Sequence, residues 1–190
     1  MSRGLMGFIL CSCKAGAARM SLEHKPFKFP NPPVPGESKN EACPPVHHES
    51  HRRCANRIGP MPIGTRRIFN ATGGSFAGDR LSGEILPGGG EWFLDAGKGF
   101  GQVDVRLMLR TNDGASIYLR YSGVMDFNEA VGAKLAAGQS TEFGDNRFLT
   151  QVRFECAHPG YEWLSTTIAV GEGRMHPDCV EYAIYEVAHG

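Results

Sequence analysis

The chain has 190 residues, with 20 Lys+Arg against 20 Asp+Glu, 41% hydrophobic residues, 25 glycines and 12 prolines. That length fits one domain with a packed core, zero net charge speaks against a chain built to coat nucleic acid, and no run nears the roughly 18 apolar residues of a membrane span. Glycine and proline together exceed ordinary usage but stay below the level of low-complexity or collagen-like chains.

Taken in chain order, residues 1–20 carry Arg3, the apolar run Leu5–Cys11, Lys14 and Ala15-Gly16-Ala17. This imitates a signal peptide, yet the apolar run sits at the lower limit of length and a lysine interrupts it. The reading is an untidy N-terminus, with Met20 as an alternative start. Residues 21–45 show no repeating apolar face, and their prolines favour extended polyproline conformations. Nine of the 12 prolines fall between Pro26 and Pro62, whereas 20 of the 25 glycines fall from Gly64 onward. Charge divides at the same place: residues 1–62 hold 9 Lys+Arg against 4 Asp+Glu, and residues 63–190 hold 11 against 16. The chain therefore reads as an N-terminal extension over 1–45, dispensable for folding, and a domain over 46–190.

Six cysteines, at 11, 13, 43, 54, 156 and 179, lack the density of a disulfide scaffold, which makes free thiols in a reducing, cytoplasmic compartment the default. Cys43, His47, His51 and Cys54 set four zinc-type ligands within 12 residues. Their spacing is that of no zinc finger and they lie in the proline-rich half, so the cluster reads as a solvated basic arm and no metal is expected. Arg52, Arg53, Arg57, Arg66 and Arg67 lack interleaved aromatics, which disfavours nucleic acid as their partner.

From residue 63 the chain breaks into apolar or alternating runs separated by Gly, Asp and Asn. Strands are expected at Arg67–Thr72, Ser75–Ala77, Arg80–Leu86, Glu91–Asp95, Gln102–Arg110, Ser116–Gly123, Arg147–Cys156, Thr166–Gly173 and Val180–Val187. Short strands at that spacing suggest an antiparallel sandwich or barrel. One helix interrupts them at Glu129–Ala137, with Asn128 as N-cap and Gly138 as its stop.

The hairpin Gln102–Gly123 says most. A three-residue loop Asn112-Asp113-Gly114, with glycine in the left-handed position, sets Thr111 opposite Ala115. Leu109 then faces Ile117, Leu107 faces Leu119, Val105 faces Tyr121, and Arg106 lies opposite Arg120. A two-residue loop would pair Leu107 with Arg120 and mix the faces. The polar face collects Asp104, Arg106, Met108, Tyr118 and Arg120. Like charges directly opposite one another cost stability unless something neutralises them. Two readings follow: the arginines line an interior and hold an anionic group, or the face is solvated and the leucines form the core. The next strand alternates in the same way, Phe148, Val152, Phe154 and Cys156 against Leu149, Gln151, Arg153 and Glu155.

Pro62–Arg67, Ala71–Gly78, Leu86–Trp92, Arg110–Gly114, Arg153–Glu155, Tyr161–Leu164 and Val170–Gly173, in that order and spacing, resemble the family called domain of unknown function 3237, over about residues 50–190. The resemblance implies an all-β, calycin-like antiparallel barrel of the lipocalin type whose mouth admits a small ligand, and it brings no reaction with it. Where the family pattern starts with an apolar strand, this chain has His51-Arg-Arg-Cys-Ala-Asn-Arg57. In a closed barrel one strand face points inward, which favours Asp104, Arg106, Tyr118 and Arg120 facing a cavity.

Gly73–Gly78 fails as a nucleophile elbow, because Ala77 replaces its second glycine. Gly97–Gly101 lacks both the spacing and the following helix of a nucleotide loop. Trp92 and Trp163 read as core or barrel-end packing. The functional expectation is a barrel that binds a small anionic or phenolic molecule. It carries acid/base chemistry on Asp104 and Glu155, of the isomerase, cyclase or lyase type, with Arg106, Tyr118, Arg120 and Arg153 binding the ligand. The alternatives are a non-catalytic carrier or sensing module, and a structural subunit with a filled barrel. No cofactor is expected; the partners are a small molecule and room for a second copy of the chain, without nucleic acid or membrane.

Overall fold

The turn at Asn112–Gly114 organises the domain. Gly114 has φ 91°, the Thr111 amide donates to the Ala115 carbonyl and the Gly114 amide to the Thr111 carbonyl, each at 2.9 Å. That three-residue loop fixes the register of the strands it joins, with Leu109 against Ile117, Leu107 against Leu119, Val105 against Tyr121 and Arg106 against Arg120. These are the pairs expected from the sequence.

The computed structural model describes residues 7–11 and 54–187, with side chains from 56 to 187. The strands are β1 (Gly7–Cys11), β2 (Cys54–Met61), β3 (Gly64–Asn70), β4 (Gly74–Gly78), β5 (Ser82–Gly97), β6 (Phe100–Thr111), β7 (Ser116–Asp126), β8 (Phe148–Glu155), β9 (Ala169–Met175) and β10 (Val180–Glu186). Helix α1 (Glu129–Ala136) lies between β7 and β8, and a 3₁₀ helix, Pro159–Thr166, between β8 and β9. Neither is long and apolar enough to cross a membrane.

The strand order is β2-β3-β5-β4-β1-β10-β9-β8-β7-β6, and β5 also pairs with β6. That extra pairing joins β5, β4, β1, β10, β9, β8, β7 and β6 into a closed antiparallel barrel. An eight-stranded barrel is just wide enough for side chains to fill or for one small ligand. Strand β5 gives one edge to β6 along its length. Its other edge goes to β4 near Ser82–Ile85 and to β3 from Gly90 to Asp95, so the β2–β3 hairpin extends the wall.

The core occupies the barrel interior. Val103, Val105, Leu107 and Leu109 of β6 are buried, as are Ile117, Leu119 and Tyr121 of β7 and Phe148, Val152 and Phe154 of β8. Each such side chain contributes about 1.5–3 kcal/mol on leaving water, whereas an unpaired guanidinium in its place would cost several kcal/mol. Alternation thus sends the apolar set inward and the charged set outward. Close approach requires glycine at Gly173: a Cβ there would lie 2.6 Å from the Phe148 ring, which meets Tyr182 edge-on at 5.2 Å between centroids. Leu164 of the 3₁₀ helix and Val131 of α1 are buried, and these elements follow strand ends at opposite mouths of the barrel.

Helix α1 starts as expected, Asn128 Oδ1 accepting from the Val131 amide at 2.9 Å. Other expectations change. Pro87–Gly90 was expected to end a strand, but a bulge between Ile85 and Gly89 keeps β5 continuous over 16 residues. Thr166 belongs to the 3₁₀ helix, so β9 begins at Ala169. Gly7–Cys11, inside the expected extension, pairs with β10 and β4. Cys156 is a free thiol, but Cys179 is disulfide-bonded, which corrects the expectation of free cysteines throughout. Cys43, His47 and His51 lie outside the described residues, as does the side chain of Cys54.

Two outcomes are expected. A side chain at Gly114 meets nothing within 4 Å, so Gly114→Val tests backbone conformation alone and should cost about 1–2 kcal/mol in urea unfolding; an unchanged midpoint would contradict the three-residue loop. Removing residues 1–11 should lower the urea midpoint, because it strips β4 and β10 of their shared neighbour. A midpoint equal to the full chain's would mean that β1 carries none of the closure.

Candidate functional site

The six side chains expected to form the site share one face of β6, β7 and β8, and that face is the outer one. Asp104, Tyr118 and Arg153 are half-buried; Arg106, Arg120 and Glu155 are exposed. Register sets Arg106, Arg120 and Arg153 in one cross-strand row, with Tyr118 opposite Glu155 in the next and Asp104 opposite Ser122 on the other side. Arg106 contacts Asp104 at 3.4 Å, and its guanidinium lies 5.1 Å from the Trp92 ring centroid. The expectation that these groups line the interior is therefore corrected. The same alternation that buries Val105, Leu119 and Val152 turns their neighbours outward. Asp104 and Glu155 stand on different strands in different rows.

The inner wall carries a different polar set. Glu91 pairs with Val105, and Val105 with Tyr121, so this carboxylate shares the inward face with the core and is half-buried there. The Tyr121 and Tyr182 rings lie 4.8 Å apart between centroids. Burial drives the Tyr121 hydroxyl far above its ordinary range, the Glu91 charge pushes it further, and a hydrogen bond from Tyr182 pulls the other way. Tyr121 is thus a neutral phenol at any physiological pH. Next to Glu91 on β5, Phe93 packs against the core, and Arg67 of β3 donates to Asp95 at 2.9 Å. Sequence reasoning did not single out Glu91. The bulge at Ile85–Gly89 hides its register with β6, and Glu91–Asp95 alone gives no sign of which side faces inward.

A third cluster fastens the mouth beside the 3₁₀ helix. Asp113, in the β6–β7 turn, accepts from the Thr111 hydroxyl and from the Tyr161 hydroxyl, the latter at 3.0 Å. Those two bonds, Thr111 first, hold its carboxyl below the usual carboxylate range. The partner responds consistently, since the bond to Asp113 raises the Tyr161 phenol. An open cleft of about 300 Å³ is lined by Arg80, Ser82, Asn112, Asp113 and Tyr161 among others. Arg80 lies 3.4 Å above the Trp163 ring and contacts Glu186 at 3.3 Å. A carboxylate that already serves two hydroxyl donors is a weak base, so this cluster acts as a clamp between hairpin and helix. On the outside of β9–β10, Arg174 bonds Glu181 at 2.9 Å and Glu142 at 3.0 Å. His176 meets the same Glu181 at 2.8 Å and Ser140 at 2.7 Å. Among the described residues no His, Cys, Asp or Glu group has the arrangement of a metal site.

The clamp has a pH signature. A carboxyl whose folded pKa is depressed adds stability above its unfolded pKa, about 3.9, and loses it as pH falls through the folded value. The melting temperature of wild type should exceed that of Asp113→Asn at pH 6, with the gap closing below about pH 4. A gap that is constant across pH would show that the Asp113 charge has no part in the clamp.

Comparison with known proteins accords with this architecture. A β-barrel-like protein from Acinetobacter baumannii is 34% identical, with TM-score 0.59, over 70% of this chain and 85% of that one. A conserved protein of unknown function from Rhodopseudomonas palustris is 28% identical, with TM-score 0.64, over 70% and 87%. By sequence alone the same R. palustris protein, a UPF0311 protein of strain CGA009, is 30% identical over 129 residues, 68% of this chain and 84% of that one. The family model described as "Protein of unknown function (DUF3237)" matches residues 48–187, and the chain belongs to that family.

Proposed function

We propose that the protein binds a small hydroxylated aromatic molecule against the inner wall formed by β5, β6, β7 and β10, with Glu91 as the group that meets the ligand hydroxyl. The observation that carries this reading is the row Glu91–Val105–Tyr121, with Tyr182 against Tyr121. It supplies a carboxylate and a phenol pair beside the buried Val105, Leu107 and Leu119, and a few convergent polar groups in apolar surroundings are the usual make-up of a small-molecule site. Aromatic walls suit an aromatic ring. The carboxylate suits a hydroxyl donor and disfavours an anion at that point. In this proposal Glu91 takes over the acid/base role that the sequence suggested for Asp104 and Glu155. A carboxylate accepts the ligand proton, and the neutral Tyr121 hydroxyl donates to the oxygen on which charge develops. A carrier is the second reading, with the same contacts and no proton transfer. The disulfide at Cys179 favours an oxidising compartment, so the cytoplasmic location suggested by the cysteine count does not form part of the proposal.

The test uses 2-naphthol with naphthalene as the control that lacks a hydroxyl. Fluorescence titration of the full chain should give tighter binding of 2-naphthol, and Glu91→Gln should weaken it at least tenfold, about 1.4 kcal/mol, with naphthalene unaffected. Equal binding of the two probes, or equal affinity in wild type and variant, would sink the proposal. Exchange of the ring hydrogen beside the hydroxyl in D₂O then separates enzyme from carrier. The enzyme reading expects wild type, and not Glu91→Gln, to accelerate it; binding without acceleration leaves a carrier.

A further inference from the structure

The outer face of β6–β7–β8 has a charge pattern that neither the core nor the inner wall requires. Arg106, Arg120 and Arg153 lie side by side on three adjacent strands, and neighbouring strands are about 4.8 Å apart. Like charges directly across a sheet are destabilising. Only Arg106 has a carboxylate partner, Asp104 at 3.4 Å, and Trp92 beneath it at 5.1 Å. Arg120 and Arg153 have neither an ion pair nor a side-chain hydrogen bond among the described residues.

A guanidinium presents a planar fork that matches one oxyanion group in a bidentate manner. Two forks one strand spacing apart match two such groups joined by a short bridge. We propose that Arg120 and Arg153 bind a small molecule carrying two closely spaced oxyanion groups, a diphosphate or a short dicarboxylate, with Arg106 flanking them. Asp104 and the Trp92 ring orient Arg106, which leaves the other two forks as the contact groups. Lysines at these positions would be flexible point charges and would lack that geometry. This site is on the opposite side of the sheet from Glu91 and takes an anionic ligand, not a neutral hydroxyl donor, so it stands or falls separately from the inner-wall proposal.

The row is solvent-accessible, so salt competes with its ligand and the measurement belongs at low ionic strength. The full chain is melted with sodium pyrophosphate, with sodium succinate, and with sodium chloride at matched ionic strength. A ligand that binds only the folded state raises the melting temperature by mass action. Wild type should be stabilised by at least one dianion beyond the chloride control. A rise with pyrophosphate alone identifies phosphate as the source chemistry, a rise with succinate alone identifies carboxylate, and a rise with both identifies the shared spacing. Arg120→Met and Arg153→Met should each raise the concentration needed for half the shift at least tenfold, and Arg120→Lys should recover only part of it. Arg110→Met, which removes an arginine of β6 outside the row that pairs with Glu84 of β5 at 3.8 Å, should keep the full response. Without ligand, the Met variants should melt at or slightly above the wild-type temperature, since each removes a repulsion. No shift beyond chloride, or equal shifts in wild type and both Met variants, would overturn the proposal.

Discussion

A β-sheet exposes two rows of unpaired amides and carbonyls unless it closes on itself. In this chain closure depends on β5, which bonds to β6 on one edge and is shared by β4 and β3 on the other. The bulge between Ile85 and Gly89 makes that sharing feasible. It lets one 16-residue strand bend from the neighbourhood of β4 to that of β3 while it stays paired with β6. Closure then dictates the rest. Every strand acquires an inside and an outside, and the interior of an eight-stranded barrel is just wide enough for packed side chains or one small ligand.

Because the interior is apolar, its polar groups are few and stand out. Tyr121 accepts a hydrogen bond from Tyr182 within the core, and Glu91 reaches the same face from the strand that closes the barrel. Other charged groups stand on the outer face of β6–β7–β8, in the Arg67–Asp95 pair between β3 and β5, at the mouth where Asp113 and Tyr161 join the hairpin to the 3₁₀ helix, and on the outside of β9–β10, where Arg174 meets Glu181. One alternation thus creates two chemically unlike surfaces on one wall, a carboxylate beside phenols within and a row of guanidinium groups without. The two proposed ligands differ accordingly, a hydroxyl donor within and a pair of oxyanion groups without.

Features set by local chemistry were legible in the sequence. The turn Asn112-Asp113-Gly114 fixed a register that the structure reproduces pair for pair, and Asn128 marked the start of α1. Family resemblance brought the barrel. The direction of each face was harder to read: alternation separates Arg106 from Leu107 but does not say which points inward, and an expected ligand cavity drew the arginines inside. Burial energetics decide otherwise, because leucine and valine gain by leaving water and unpaired guanidinium groups lose. Other features depend on contacts distant in sequence. Glu91 acquires its place through a bulge and a partner strand, Gly7–Cys11 becomes a strand only between β4 and β10, and Cys179 enters a disulfide that spacing alone did not suggest.

Core and surface both depend on the direction of the β6 faces, and thiol accessibility tests that direction residue by residue. Arg106→Cys and Leu107→Cys differ by one position, so a sheet with this register must put one thiol in water and the other in the core. Alkylation by iodoacetamide under native conditions, followed by peptide mass mapping with Cys156 as the internal reference, measures both rates. The cysteine at position 106 should react within minutes and the one at 107 should stay protected until urea unfolds the chain. Rapid reaction at 107 with protection at 106 would mean that the arginines face inward, and the core, the inner-wall site and the outer anion row would all be misassigned.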